Sequence, residues 1–191
     1  SQSKKVKLGN RVAVVGGGNA AIDAARTARR LGAKEVIIAY RRSRQEMPAN
    51  SEEVEAALEE GIKILFLVAL TGITKDGNTL LMECLRMELG EPDASGRKRP
   101  VPVKGSEFNI SCDTVIAAIG QIASIPAGFE IEPLGSGNLK VNSETLATGI
   151  DGVFAGGDAV TGPATVIEAI ASGQRAASSI RRFLSGEPMS P

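Results

Sequence analysis

Arg11–Arg44 reads RVAVVGGGNAAIDAARTARRLGAKEVIIAYRRSR, and its reading decides the fold. Arg11–Val15 is a short apolar run suited to a buried strand. Gly16-Gly17-Gly18-Asn19-Ala20-Ala21 is a tight turn of the form GxGxxA. Asn19–Leu31 reads as a helix with Gly32 at its end. Glu35–Tyr40, EVIIAY, is a second buried strand. Each part has a physical task. Gly16 permits the sharp turn, Gly18 lets the backbone approach a ligand closely, and Ala21 is small enough for the helix to pack on a sheet. The helix start offers unpaired N–H groups and a partial positive charge, which suits phosphate. Strand, turn, helix and strand in this order predict a Rossmann-like β-α-β unit holding a dinucleotide pyrophosphate.

The end of the second strand bears on which dinucleotide. An NAD site usually has Asp or Glu about 20 residues after the glycines, bonded to the ribose 2′-hydroxyl. Here the run is Tyr40-Arg41-Arg42-Ser43-Arg44, with no carboxylate to repel a 2′-phosphate and several guanidiniums to grip one. A charge-assisted hydrogen bond contributes roughly 1.5–3 kcal/mol. Two of them favour NADP over NAD by about two orders of magnitude. A solvated basic loop is the alternative reading of the same run.

The rest of the chain extends this unit. Asn50-Ser51-Glu52-Glu53 looks like a capping box opening a helix through Glu60, with Val54, Ala57 and Leu58 inward. Lys63–Val68 reads as a third strand. Turn signals at Lys75–Asn78 and Glu91–Gly96, with alternating stretches at Thr79–Glu88 and Glu107–Ile110, predict an antiparallel β-meander over Thr71–Ser111. Arg97-Lys98-Arg99-Pro100 reads as its solvated tip. Asp113–Ile119 is a further buried parallel strand, ending at Gly120 beside the crevice where such sheets bind ligands. Arg26, Arg29 and Arg30 read as surface charges near a helix C-terminus, with Asp23 and Arg26 spaced to pair.

Residues 121–150 are irregular, broken by Pro126, Gly128, Pro133, Gly135 and Gly137, with a short strand candidate at Leu139–Val141. A second motif follows. Gly152–Asp158, GVFAGGD, reads as a short strand running into Gly-Gly-Asp, then a long helix from about Ala164 to Leu184. Glycines there suit a backbone pressed on a bulky ligand. Asp158 can accept a hydrogen bond from a sugar or ribityl hydroxyl, and the helix start can meet the pyrimidine edge of a flavin. A plain strand-turn-helix with Asp158 in the turn is the alternative.

Composition sets bounds. The 191 residues are 42% hydrophobic with zero formal net charge, two cysteines and no histidine. The basic cluster from Arg26 to Arg44 lacks interleaved aromatics, which argues against a nucleic-acid groove. Cys84 and Cys112 form no CxxC, and the absence of histidine removes the usual general base and zinc ligand. The longest apolar run, Ile64–Leu70, is too short to span a bilayer. The expectation is a reduced, cytoplasmic chain with no metal site, no secretory leader and no membrane or nucleic-acid partner.

VAVVGGGNAAIDAARTARRLGAKEV, YRRSRQEMPA, DTVIAAIGQ and GVFAGGDAVTGPATVIEAIASGQRAA, in this order, make the chain resemble a flavoprotein family with two dinucleotide sites. It is similar to the glutamate synthase small subunit and to the matching domains of dihydropyrimidine dehydrogenase, within the pyridine nucleotide-disulfide oxidoreductase-like fold. The resemblance implies an NADP(H)-binding domain over 1–120 and the C-terminal part of an FAD-binding domain over 121–191. It implies that Gly16, Gly17, Gly18, Asn19 and Ala20 hold the NADPH pyrophosphate and turn, and that Arg41 and Arg42 hold the 2′-phosphate. Arg44 is an extra phosphate contact of weaker support. Ala118, Ile119 and Gly120 would line the nicotinamide end, and Gly157, Asp158, Ala164, Thr165 and Val166 would contact FAD.

The family's first FAD strand, its GxGxxG turn, its ribose-binding acid and its cysteine-rich iron–sulfur segment have no counterpart in this sequence. The expected partners are therefore that N-terminal region and a large catalytic subunit, and stable FAD binding by this chain alone is not expected. The implied reaction passes a hydride from NADPH to flavin and electrons on to iron–sulfur centres, with no catalytic side chain named. A non-enzymatic NADP-binding sensory module is the second reading. A simple NADP dehydrogenase is a third, weakened because the one tyrosine, Tyr40, lies at the adenosine end.

Overall fold

The computed structural model describes residues 6–93, 96–125, 128, 131, 133–134 and 137–189. Pro126, Gly135, the turn residues Ala94 and Ser95, and the first five residues of the lead-in lie outside the described residues. The chain divides into two compact units, Ser1–Gly120 and Gln121–Pro191.

In the first unit, β1 (Arg11–Val15), β2 (Glu35–Tyr40), β3 (Lys63–Phe66) and β8 (Thr114–Ala117) form a parallel sheet in the order β3-β2-β1-β8. Helices α1 (Asn19–Arg30) and α2 (Ser51–Glu59) are the crossovers. The meander is β4 (Val68–Asp76), β5 (Thr79–Pro92), β6 (Lys98–Pro102) and β7 (Phe108–Cys112), with β5 paired antiparallel to the other three.

Strand alternation explains how both faces of the sheet are buried. Val12, Val14, Val36, Ile38 and Tyr40 share a core with Ala21, Ile22, Ala25 and Ala28 of α1. Their neighbours Ala13, Ile37 and Ala39 share a second core with Val68, Met82, Cys84 and Cys112. The stripe of small residues on α1 is what lets the helix approach the sheet. Gly32, at φ 101°, turns the chain after the helix, and Ala33 N–H donates to Ala28 O at 3.1 Å.

Several expectations need correction. The apolar run Lys63–Val68 is broken at Leu67, whose φ is 57°, and the chain leaves the parallel sheet there to enter the meander. Asn50 does cap α2, accepting from Glu52 N–H at 2.9 Å, but Glu53 does not close a capping box. Glu53 instead pairs with Arg26 of α1, and Glu60 pairs with both Arg26 (2.9 Å) and Arg30 (2.6 Å). Arg26 therefore bridges the helices and is not engaged by Asp23. Leu58 is exposed, not inward. Lys98–Pro100 are the first residues of β6, just past the hairpin turn, and Lys98 and Arg99 are exposed as expected of a solvated hairpin end. The strand expected over Asp113–Ile119 is shorter and half-buried. Asp113 itself ties the strand starts together, its Oδ2 accepting from Asn10 and Arg11 N–H at 2.7 and 2.9 Å.

In the second unit, the strand expected in GVFAGGD is reduced to one bridge, Ala147↔Phe154, and Leu139 makes one bridge to Pro133. A short helix, α3 (Asp158–Thr161), precedes α4 (Val166–Leu184). Phe154 and Phe183 meet edge to face at 5.9 Å. Among the described residues, no helix is long and apolar enough to cross a membrane.

Candidate functional site

Gly16–Ala20 form the turn at the carboxyl ends of β1 and β2. Gly16 has φ 146°, and a Cβ there would lie 2.2 Å from Ala118 O. Its N–H donates to Ala39 O at 3.1 Å, while Ala118 N–H donates to Val15 O at 2.8 Å. A Cβ on Gly17 would lie 2.4 Å from the Tyr40 ring. Gly18 differs: its φ is −90°, and a Cβ would meet nothing within 4 Å. Two glycines are thus required by the fold, while the third opens onto free space.

The start of α1 leaves backbone donors open. It has no side-chain cap and no acidic residue in its first turn. Among the described residues, the Asn19 and Ala20 N–H groups have no acceptor. The Asn19 side chain is already engaged, its Oδ1 accepting from Asn50 N–H at 2.9 Å. Ala49 N–H donates to Gly17 O at 3.2 Å, so the segment before α2 is stitched to the turn. Ile119, 76% exposed, and Gly120, at φ 96° with open space around it, follow directly from Ala118 beside Gly16. The fold thus brings Gly16–Ala20 and Ala118–Gly120 to one end of the sheet.

The three arginines of the basic loop differ sharply. Arg41 is exposed, and among the described residues it makes no ion pair. Arg42 is buried, 5% exposed. Its Nη2 lies 2.5 Å from Asp93 Oδ2 and its Nε donates to Lys98 O at 2.9 Å. Arg44 is half-buried and lies 3.5 Å from Glu55. The expected two-arginine grip is therefore not what the loop presents: Arg42 is consumed by the meander. The fold brings the Asp93 carboxylate to Arg42, and the Glu46 carboxylate lies on Ser43.

Glu46 ends a short 3-10 turn, Arg44–Glu46, and is buried. The Ser43 hydroxyl donates to its Oε2 at 2.5 Å and holds its carboxyl below the usual range. Tyr40 Oη donates to Glu46 O at 2.7 Å. The Ser43-x-x-Glu46 spacing was a legible capping signal for this turn. Asp93 left no local signal, being distant in sequence and brought in by the hairpin.

In the second unit, Gly157 has φ 63° and its N–H donates to Ser172 Oγ at 2.9 Å. A Cβ on Gly156 would lie 2.3 Å from the same oxygen, so this glycine serves helix packing. Asp158 is exposed, and no partner reaches its carboxylate among the described residues. Ala164, Thr165 and Val166 are exposed. Thr165 caps α4 in a complete box with Glu168. Glu168 Oε2 accepts from Thr165 N–H at 2.9 Å and from its hydroxyl at 2.7 Å, which lowers the Glu168 pKa. The Thr165 N–H is thus taken by Glu168.

Comparison with known proteins agrees with this architecture. Residues 1–173 match the family described as pyridine nucleotide-disulphide oxidoreductase. The chain is 53% identical over 185 residues to the NADP(+)-dependent formate dehydrogenase subunit beta of Moorella thermoacetica, covering 96% of this chain and 26% of that protein. It is 39% identical over 187 residues to the glutamate synthase [NADPH] small chain of Azospirillum brasilense, covering 96% of this chain and 39% of that one. Among solved structures, Lactococcus lactis thioredoxin reductase superposes with a TM-score of 0.73 at 19% identity, over 92% of this chain and 53% of that one. That likeness concerns the fold. The chain spans well under half the length of both curated relatives.

Proposed function

The chain belongs to the pyridine nucleotide-disulphide oxidoreductase family, and from that premise we propose that its first unit binds NADP(H) for an FAD-dependent oxidoreductase of greater length. The observation that carries the reading is the open face at Gly18 beside the unpaired N–H groups of Asn19 and Ala20. Backbone donors at an uncapped helix start, with no nearby first-turn carboxylate, fit a pyrophosphate.

When bound, the nicotinamide supplies a hydride and the flavin accepts it. The chain's own residues bind and orient. Gly16 and Gly17 shape the turn, Asn19 and Ala20 donate to phosphate oxygens, and Arg41 offers the cation for a 2′-phosphate. Ala118, Ile119 and Gly120 line the nicotinamide end. Gly157, Asp158, Ala164, Thr165 and Val166 contribute to an FAD site, with the Asp158 carboxylate accepting from a ligand hydroxyl. Residues 1–120 are the NADP(H)-binding domain and 121–191 the C-terminal part of the FAD-binding domain. Its partners are the N-terminal FAD and iron–sulfur region and a large catalytic subunit, and its compartment is the cytoplasm. The names of its relatives, a formate dehydrogenase subunit and a glutamate synthase small chain, support an electron-transfer role.

Calorimetric titration with NADP+ and NAD+, with a visible spectrum of the purified chain, tests the reading. NADP+ should bind more tightly than NAD+ by about tenfold or more. Equal affinity for both, or binding of neither, would refute it.

A further inference from the structure

Arg42 is fixed at both its backbone and its side chain. Its carbonyl accepts from Leu67 N–H at 3.2 Å, and Leu67 O in turn accepts from Met87 N–H of β5 at 2.8 Å. Its guanidinium is spent on Asp93 and on the carbonyl of Lys98, which flank the β5–β6 hairpin. The loop leaving β2 is therefore bound to the second sheet, and Arg41 is the residue immediately before the anchor. A desolvated guanidinium is costly without partners, and Arg42 has two of them on the hairpin. Arg42 is thus buried and held by the hairpin, while Arg41 is exposed.

Resting on the NADP(H) reading above, we infer that Asp93 is a positioning residue for 2′-phosphate recognition. Asp93 holds Arg42, Arg42 holds the loop, and the loop sets Arg41. The selectivity of the site then depends on a hairpin that lies outside the β-α-β unit. Arg42 is a strut and not a phosphate ligand.

Charge and position predict opposite signs here. Removing the Asp93 carboxylate takes away a negative charge near an anion site, and electrostatics alone would strengthen 2′-phosphate binding. Loss of positioning weakens it. The experiment is calorimetric titration of the chain and its Asp93→Asn variant with NADP+ and NAD+. The expected result is an NADP+ affinity lower by about fivefold to tenfold, with NAD+ changed by less than about twofold. In an Arg42→Gln background, Asp93→Asn should add no further change, because the effect runs through Arg42.

NAD+ affinity serves as the measure of folding, since an unfolded variant loses both ligands. Should Asp93→Asn unfold, Asp93→Glu keeps the charge, displaces the anchor by a methylene, and should lower the NADP+ to NAD+ affinity ratio in the same direction. An unchanged or increased ratio in the folded variants would overturn the inference while leaving NADP(H) binding intact. A parent chain that binds neither nucleotide would overturn the functional reading itself, and this inference with it.

Discussion

Gly17 lies against the ring of Tyr40, so close that a Cβ on the glycine would come within 2.4 Å of two ring carbons. The ring is fixed in turn by its hydroxyl, which donates to Glu46 O at 2.7 Å. The Gly-rich turn and the end of β2 are therefore packed on each other before any ligand arrives.

The three glycines should separate by measurement. Gly17→Ala overpacks a buried ring and should cost about 1–3 kcal/mol. Gly16→Ala adds positive-φ strain to a clash with Ala118 O and should cost at least as much. Gly18→Ala should leave stability within about 0.5 kcal/mol, since its Cβ meets nothing. It should nevertheless weaken NADP+ by about tenfold or more, because the methyl occupies the ligand's approach. Urea unfolding and calorimetric titration of the three variants give both numbers. Unaltered NADP+ binding by Gly18→Ala would place the pyrophosphate elsewhere.

The clamp between α1 and α2 predicts a pH dependence. Hydrogen bonds from Arg26, then Arg30, hold the Glu60 carboxyl below its usual range. A carboxyl lowered in the folded state stabilises above its unfolded pKa, and that stabilisation is lost as pH falls through the folded value. Glu60→Gln should therefore destabilise at neutral pH, and its difference from the parent chain should shrink as pH drops below about 4.5. A difference that stays constant from pH 7 to pH 3 would show that the ion pairs are not its source.

The cysteines should be inert in the folded chain. Cys84 and Cys112 are both buried. Burial pushes the Cys84 thiol up to about 11 and raises Cys112 as well. A chromogenic disulfide reagent at pH 8 should find no fast-reacting thiol in the native chain and two after denaturation. A rapid native phase would mean that the meander core opens.

Helix α4 depends on its cap. Thr165→Ala removes the acceptor for Glu168 N–H and one donor to Glu168 Oε2, and should cost about 1 kcal/mol. Hydrogen exchange should quicken in the first turn of α4 and leave α1 unaffected. Equal exchange in the two chains would show that the box contributes nothing.

The β1-α1-β2 unit was legible because its signals are local: two apolar runs, a GxGxxA turn and a small-residue stripe at helical spacing. The break at Leu67 was hidden because KILFLV is continuously apolar, and the positive φ sits on a residue that gives no warning. Glu52 and Glu53 are adjacent, and the partner that decides Glu53's role lies on another helix. The basic loop hides a difference for the same reason. Arg41 and Arg42 are indistinguishable in sequence, and Asp93 separates them in space. On α4, Val166, Ile170 and Ile180 are exposed while Ser172 and Ser179 are buried. The close approach of Gly156 to Ser172, and of Gly157 to Ala169, favours small side chains at those two positions.

NADP(H) binding as proposed requires recognition of a 2′-phosphate next to an open, backbone-lined phosphate turn. Titration with adenosine 2′,5′-bisphosphate against adenosine 5′-monophosphate isolates that requirement, since the two ligands differ by the 2′-phosphate alone. The bisphosphate should bind more tightly by about tenfold or more, and Arg41→Asp should abolish the difference. Equal affinities for the two ligands in the parent chain would contradict the account.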